Sequence, residues 1–364
     1  MEDKKLIYYL WLTKIKGIGP VTSRKLIDYF GESENIYNSG IEELIRVNGI
    51  GTETANSIYS NKDLMEAEKI LDSCREKNIG ISVYNDEIFP RELNKYEDNP
   101  IIIYYSGKLY KELKGVGIIG ARRCNEYGKK VAVEAASYLG SLGIPVISGL
   151  AKGIDSYAHT ACIKASGFTA AVLGCGIDIC YPEEHRNLME KIKETGLLIS
   201  EYPPGTSVKK ENFPKRNRLI SSLSEKILIA EAGEKSGALI TANYSKLKGK
   251  KIYSAPNSIY MKEFKGSNKL IEEGANIYLN KEQLFIECMS IKKETPILKN
   301  DKEEFKYSDL ERKIIIEIEK RRLSIDELST VIHADKNELM NSILNLELQG
   351  MLLNMAGVYK IAYK

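Results

Sequence analysis

Residues 116–120 read VGIIG, and five further stretches repeat the theme: IPVISG at 144–149, FTAAVLG at 168–174, LLISEY at 197–202, KILIAEAG at 226–233 and KIYSAP at 251–256. Each is a short apolar run, and most lead through glycine or a polar loop into a helical stretch. Strands apolar along their whole length must be covered on both faces. The pattern therefore predicts a parallel sheet flanked by helices, an α/β doubly wound domain over residues 81–290.

The regions on either side follow other rules. Residues 1–80 read as short helices punctuated by glycine, with an internal likeness between Ile15-Lys16-Gly17-Ile18-Gly19 and Val47-Asn48-Gly49-Ile50-Gly51. Paired glycines between helices let a backbone approach a phosphate, as in helix-hairpin-helix elements. The first copy is flanked by Lys14, Lys16, Arg24 and Lys25, the second mainly by acids. The same turns also suit a plain helical packing module. Residues 291–305 are charged, aperiodic and contain a proline, so they read as a linker. Beyond them, residues 306–364 show three helical stretches and two strands about Ala356-Gly357, the pattern of a small winged helix. Its presumed recognition helix, 335–348, holds Asp335, Glu338 and Glu347 against Lys336, which suits protein contact better than the major groove.

Composition removes several classes. The 364 residues carry 53 Lys+Arg against 50 Asp+Glu, a formal charge of +3, too balanced for bulk polyelectrolyte binding. No run of about 18 apolar residues predicts a membrane span, and the N-terminus makes a poor signal peptide. Six scattered cysteines and three dispersed histidines form no metal motif and suit a reduced, cytoplasmic protein. No P-loop, no G-x-S-x-G elbow and no complete dinucleotide fingerprint occurs, since Ile179 stands where a third glycine would follow Gly174 and Gly176. No metal, cofactor or catalytic residue is expected. Glu201 and Glu231 end strands, where they could meet Asp155 or His159.

In an open parallel sheet, ligands bind beyond the carboxyl ends of the strands. The loops there bear Gly120-Ala121-Arg122, then Ser148-Gly149-Leu150-Ala151-Lys152 and Ser236-Gly237-Ala238-Leu239-Ile240-Thr241. Small, hydroxyl and basic residues recur at one edge, which predicts a phosphate-binding groove. The run Lys209-Lys210-Glu211-Asn212-Phe213-Pro214-Lys215-Arg216-Asn217-Arg218 reads as a basic loop of charge +4, leaving −1 for the rest of the chain. Cations for a backbone and a ring for a base suit single-stranded nucleic acid. Phe213 could equally anchor the loop in the core.

These residues, with AVLGCGIDICYPEEH at 171–185, SEYPPG at 200–205 and FPKRNRLIS at 213–221, resemble the DNA-processing protein A (DprA/Smf) family. The resemblance implies a Rossmann-like core between a sterile-alpha-motif-like helical domain and a winged helix. It implies a non-enzymatic protein that binds and protects single-stranded DNA in natural transformation, loads the RecA recombinase and dimerises through its core. By motif, it implies a phosphate pocket at Arg122 beside Gly120, near Ser148, Gly149 and Lys152. Lys210, Phe213, Arg216 and Arg218, with Ser236, Gly237 and Thr241, would complete the groove. Ala121, His185 and Asn257 depart from the family pattern. A contrasting expectation is a nucleotide phosphoribohydrolase of lysine-decarboxylase-like type, whose Pro-Gly-Gly-x-Gly-Thr turn does not occur here.

Overall fold

A computed structural model describes residues 3–287, 308–348, 352–355 and 358–361. All six runs form strands, and three more join them. In chain order these are β1 (Gly80–Val83), β2 (Ile102–Gly107), β3 (Gly115–Gly120), β4 (Val146–Ser148), β5 (Thr169–Leu173), β6 (Leu197–Ser200), β7 (Ser224–Glu231), β8 (Lys251–Ser254) and β9 (Asn276–Ile277). They make one sheet in the order β1-β2-β6-β5-β4-β3-β7-β8-β9. From β6 through β9 every neighbour is parallel, while β2 runs antiparallel to β6 and β1 antiparallel to β2.

The pleat sends alternate residues into different layers. Val116 and Ile118 pack under the helices Glu126–Ser141 and Ile154–Lys164 through Ala132, Ala135, Leu139 and Ala158. Ile119, Ile147, Ala170 and Val172 pack with Leu219, Ile220 and Leu223 of the helix Asn212–Leu223, and with Ala242 of the helix Ala238–Leu247. Both faces are covered, which is why the strands carry no polar alternation.

Six helices precede the sheet, from Asp3–Leu12 to Met65–Glu76. The two glycine turns are near-copies. Ile18 N–H donates to the Ile15 carbonyl at 3.2 Å and Ile50 N–H to that of Val47 at 3.0 Å, with φ of 86° at Gly17 and 87° at Gly49. Leu10, Leu26, Leu44 and Ile58 share a core with Val83, Ile102 and Tyr104 of β1 and β2. Arg24, expected beside the first hairpin as a candidate DNA contact, is buried instead. It donates to the carbonyls of Leu93, Asn94 and Asn99 at 3.0–3.2 Å, where buried oxygens need donors.

The described residues fall into two compact units, Met1–Lys293 and Glu294–Lys364. The second holds helices Asp309–Lys320, Ile325–Ile332 and Lys336–Leu348, with a three-stranded sheet of β10 (Leu323–Ser324), β11 (Leu352–Met355) and β12 (Val358–Ile361). Ser308 with Glu311 and Ser324 with Glu327 form capping boxes on two of these helices. The expected linker 291–305 and the turn at Ala356-Gly357 lie outside the described residues.

Candidate nucleic-acid interface

β3 and β7 are neighbours in the sheet, but the chain continues from them in opposite directions, to β4 on one side and β8 on the other. Loops that diverge in this way leave a crevice at the carboxyl edge. Here it is a groove of about 830 Å³, lined by Gly120 and Arg122 after β3, Lys235 and Ser236 after β7, and Lys210 and Phe213 between them.

Arg122 is exposed, and its guanidinium carbon lies 5.6 Å from the Phe213 ring centre. Phe213 is half-buried, with the Arg216 guanidinium 5.8 Å from its centre and the Tyr181 ring at 5.6 Å. The ring is thus held by cations while part of it faces the groove. Lys210 and Lys235 are exposed and make no ion pair with any described residue. Gly237 precedes the helix Ala238–Leu247, and Ser236 Oγ accepts from Ala238 N–H at 3.3 Å. Thr241, one turn further, lines the floor and is 1% exposed. The site combines free cations, a partly open aromatic face and a helix N-terminus.

The basic run expected as a loop is mostly helix, since Asn212–Leu223 is helical with Pro214 in the first turn, where its missing N–H costs nothing. The helix is buried on every side from Arg216 to Leu223, which takes two of the run's five bases inside. Arg216 is 5% exposed and donates from Nη1 to the Gly149 carbonyl at 2.7 Å and to that of Val172, and from Nε to Asn217 Oδ1 at 3.2 Å. Asp155 is its counter-charge, and Asp155 Oδ2 also accepts from the Gly149 and Ala151 amides at 3.1 and 3.4 Å. Burial pushes the Asp155 carboxyl up, and Arg216 pulls it back. Arg218 forks onto Glu201, with Nη1 to Oε1 at 2.8 Å and Nη2 to Oε2, while Nε donates to the Asp98 carbonyl at 2.8 Å. Arg216 therefore underpins the groove, and Arg218 pins the helix to its neighbours.

The other expected positions divide similarly. Ser148 is fully buried and donates to the Ile118 carbonyl at 2.7 Å. Gly149 and Lys152 line a small adjoining cavity of about 50 Å³ with Arg122 and Phe213, and Lys152 pairs with Glu184 at 2.5 Å. Lys215 is exposed but lies outside the groove lining. Glu201 is engaged by Arg218 and Glu231 by the Asn125 amide, so neither meets Asp155 or His159. Lys235 and Tyr181 were not anticipated. Lys235 adjoins Ser236-Gly237, whose loop was already of interest, whereas nothing local marks Tyr181. Among the described residues no helix is long and apolar enough to cross a membrane, and no three His, Cys, Asp or Glu could hold a metal ion.

Comparison with known proteins bears on the family and the fold. Residues 80–289 match the family described as DNA recombination-mediator protein A, and residues 10–61 match the SAM-like helix-hairpin-helix tandem. The Synechocystis protein Smf is 36% identical over 289 residues, spanning 78% of this chain and 73% of that protein. The Bacillus subtilis DNA processing protein DprA is 35% identical over 221 residues, 60% of this chain and 74% of that one. Among solved structures, DNA processing protein A from Streptococcus pneumoniae superposes with a TM-score of 0.65 at 28% identity, covering 76% of this chain and 95% of its own. The Helicobacter pylori protein, which binds single-stranded DNA, has a TM-score of 0.51 at 28% identity, covering 56% and 93%. The chain therefore belongs to the DNA recombination-mediator protein A family.

Proposed function

We propose that the groove between the β3 and β7 loops binds single-stranded DNA, and that the protein is a non-catalytic mediator that protects incoming strands in the cytoplasm and delivers them to RecA during natural transformation. It would act as a homodimer joined through the Rossmann-like core. One observation carries the reading: an exposed Arg122 lies over a half-open Phe213 ring, with the exposed Lys210 and Lys235 on the same groove. Cations meet a backbone and a ring face meets an unstacked base, and a duplex offers no such base. The strand-binding relative from Helicobacter pylori supports this, and RecA delivery and dimerisation rest on family resemblance.

The test is a titration of single- and double-stranded oligonucleotides across a salt series, with and without RecA. Single strands should bind more tightly than duplex. Arg122→Ala should weaken single-strand binding about tenfold and lower the slope of log K against log salt by about 0.7. Wild-type affinity and slope in that variant would remove Arg122 from the site. Failure to accelerate RecA filament formation on the bound strand would remove the mediator role.

A further inference from the structure

The loop bearing Arg122 is a strap of five residues, 121–125, and one residue outside the groove holds both its ends. At one end, Ala121 N–H donates to the Glu231 main-chain carbonyl at 2.8 Å. At the other, Asn125 N–H donates to the Glu231 carboxylate, Oε2, at 3.0 Å. Glu231 ends β7, is fully buried and does not line the groove.

The carboxylate lies where a doubly wound fold commonly seats a ligand phosphate, at the N-terminus of the first crossover helix. A Cβ on Gly128 would fall 2.3 Å from Oε2, so glycine there is what lets the side chain in. Gly128 N–H is met by Asn125 Oδ1 at 2.9 Å, so the amides of Asn125 and Gly128 are both taken internally. Among the described residues Glu231 Oε1 has no partner within hydrogen-bond distance, a cost at a fully buried site that helix capping alone does not require. Burial raises this carboxyl and the Asn125 amide pulls it back; a glutamine side chain has the same shape and keeps one oxygen to accept from that amide.

Resting on the single-strand reading, we propose that Glu231 is a positioning and specificity-determining residue: its carboxyl group fills the fold's phosphate seat and clamps the 121–125 strap, so that the strap meets a nucleic-acid backbone through the Arg122 side chain and not through its amides. Free nucleotide phosphates are thereby refused, while a strand is held through side chains further out.

The test compares full-length Glu231→Ala, Glu231→Gln, Arg122→Ala and the Glu231→Ala/Arg122→Ala double variant, using a fluorescein-labelled oligo-deoxythymidine strand over a salt series. Amide hydrogen exchange of residues 121–125 is followed in parallel. Glu231→Ala should weaken binding about tenfold, lower the salt slope by about 0.7 as Arg122→Ala does, and speed exchange at Asn125. The double variant should bind no worse than Arg122→Ala, because both remove one contact. Glu231→Gln should keep wild-type slope and exchange. Losses that add in the double variant, or a Glu231→Ala protein with wild-type slope, would overturn the proposal, as would a lowered melting temperature with unchanged strap exchange. If the wild-type protein fails to bind the strand, the functional reading fails instead, and the exchange data still decide whether Glu231 clamps the strap.

Discussion

His159 is fully buried, with Nδ1 2.7 Å from Thr169 Oγ1 and no partner for Nε2 among the described residues. Burial, followed by the charges of His185 and Arg216, pushes its pKa from 6.5 down to about 3. The neutral ring is the folded form, so the unfolded chain takes up the proton first. Stability from this residue is present above pH 6.5 and is lost as pH falls toward 3. At about pH 5 the loss is about 2 kcal/mol. His159→Gln, which keeps a polar group toward Thr169, should flatten this acid limb in denaturant unfolding between pH 7 and pH 5. A variant as acid-sensitive as wild type would assign the limb to other groups. Arg216 shows the opposite use of burial: its charge is kept, met by Asp155 and two carbonyls, and spent on holding Phe213 from beneath.

The helix Asn212–Leu223 explains why a charge run misleads. KKENFPKRNR has the composition of a solvated loop, yet every residue from Arg216 to Leu223 is buried, on all sides of the helix, and Lys215 before them stays exposed. The helix Ile154–Lys164 adds a second support for the groove. Gly153 at its start has φ of 77°, and a Cβ there would lie 2.3 Å from the Ala121 carbonyl. Gly153→Ala should cost about 2 kcal/mol through backbone strain and push against the strap. The expected result is a lower denaturant midpoint together with weaker strand binding. A neutral substitution would mean that the loop relaxes freely.

Every groove-lining residue belongs to the unit Met1–Lys293, and the second unit has its own core of Ile314, Ile318, Leu328, Leu339, Ile343 and Leu346. A chain ending at residue 287 should keep the single-strand affinity and the salt slope of the full protein, measured in the same titration. A reduced slope would place phosphate contacts in the second unit. The doubly wound sheet was legible in the residues themselves, because strands apolar on both faces admit one kind of layer arrangement, and the glycine turns at 17–19 and 49–51 declared their repeat. Arg122, Phe213 and Ser236-Gly237 were legible as edge residues, because loop position follows from strand order. Which of the bases reach solvent was not. Arg24, Arg216 and Arg218 are drawn inward by carbonyls and carboxylates from 17 to 120 residues away in sequence. Glu231 likewise meets Asn125 across 106 residues. Local pattern sets which elements form and at which edge a ligand can bind; the partner of each charge is chosen only when packing brings distant segments together.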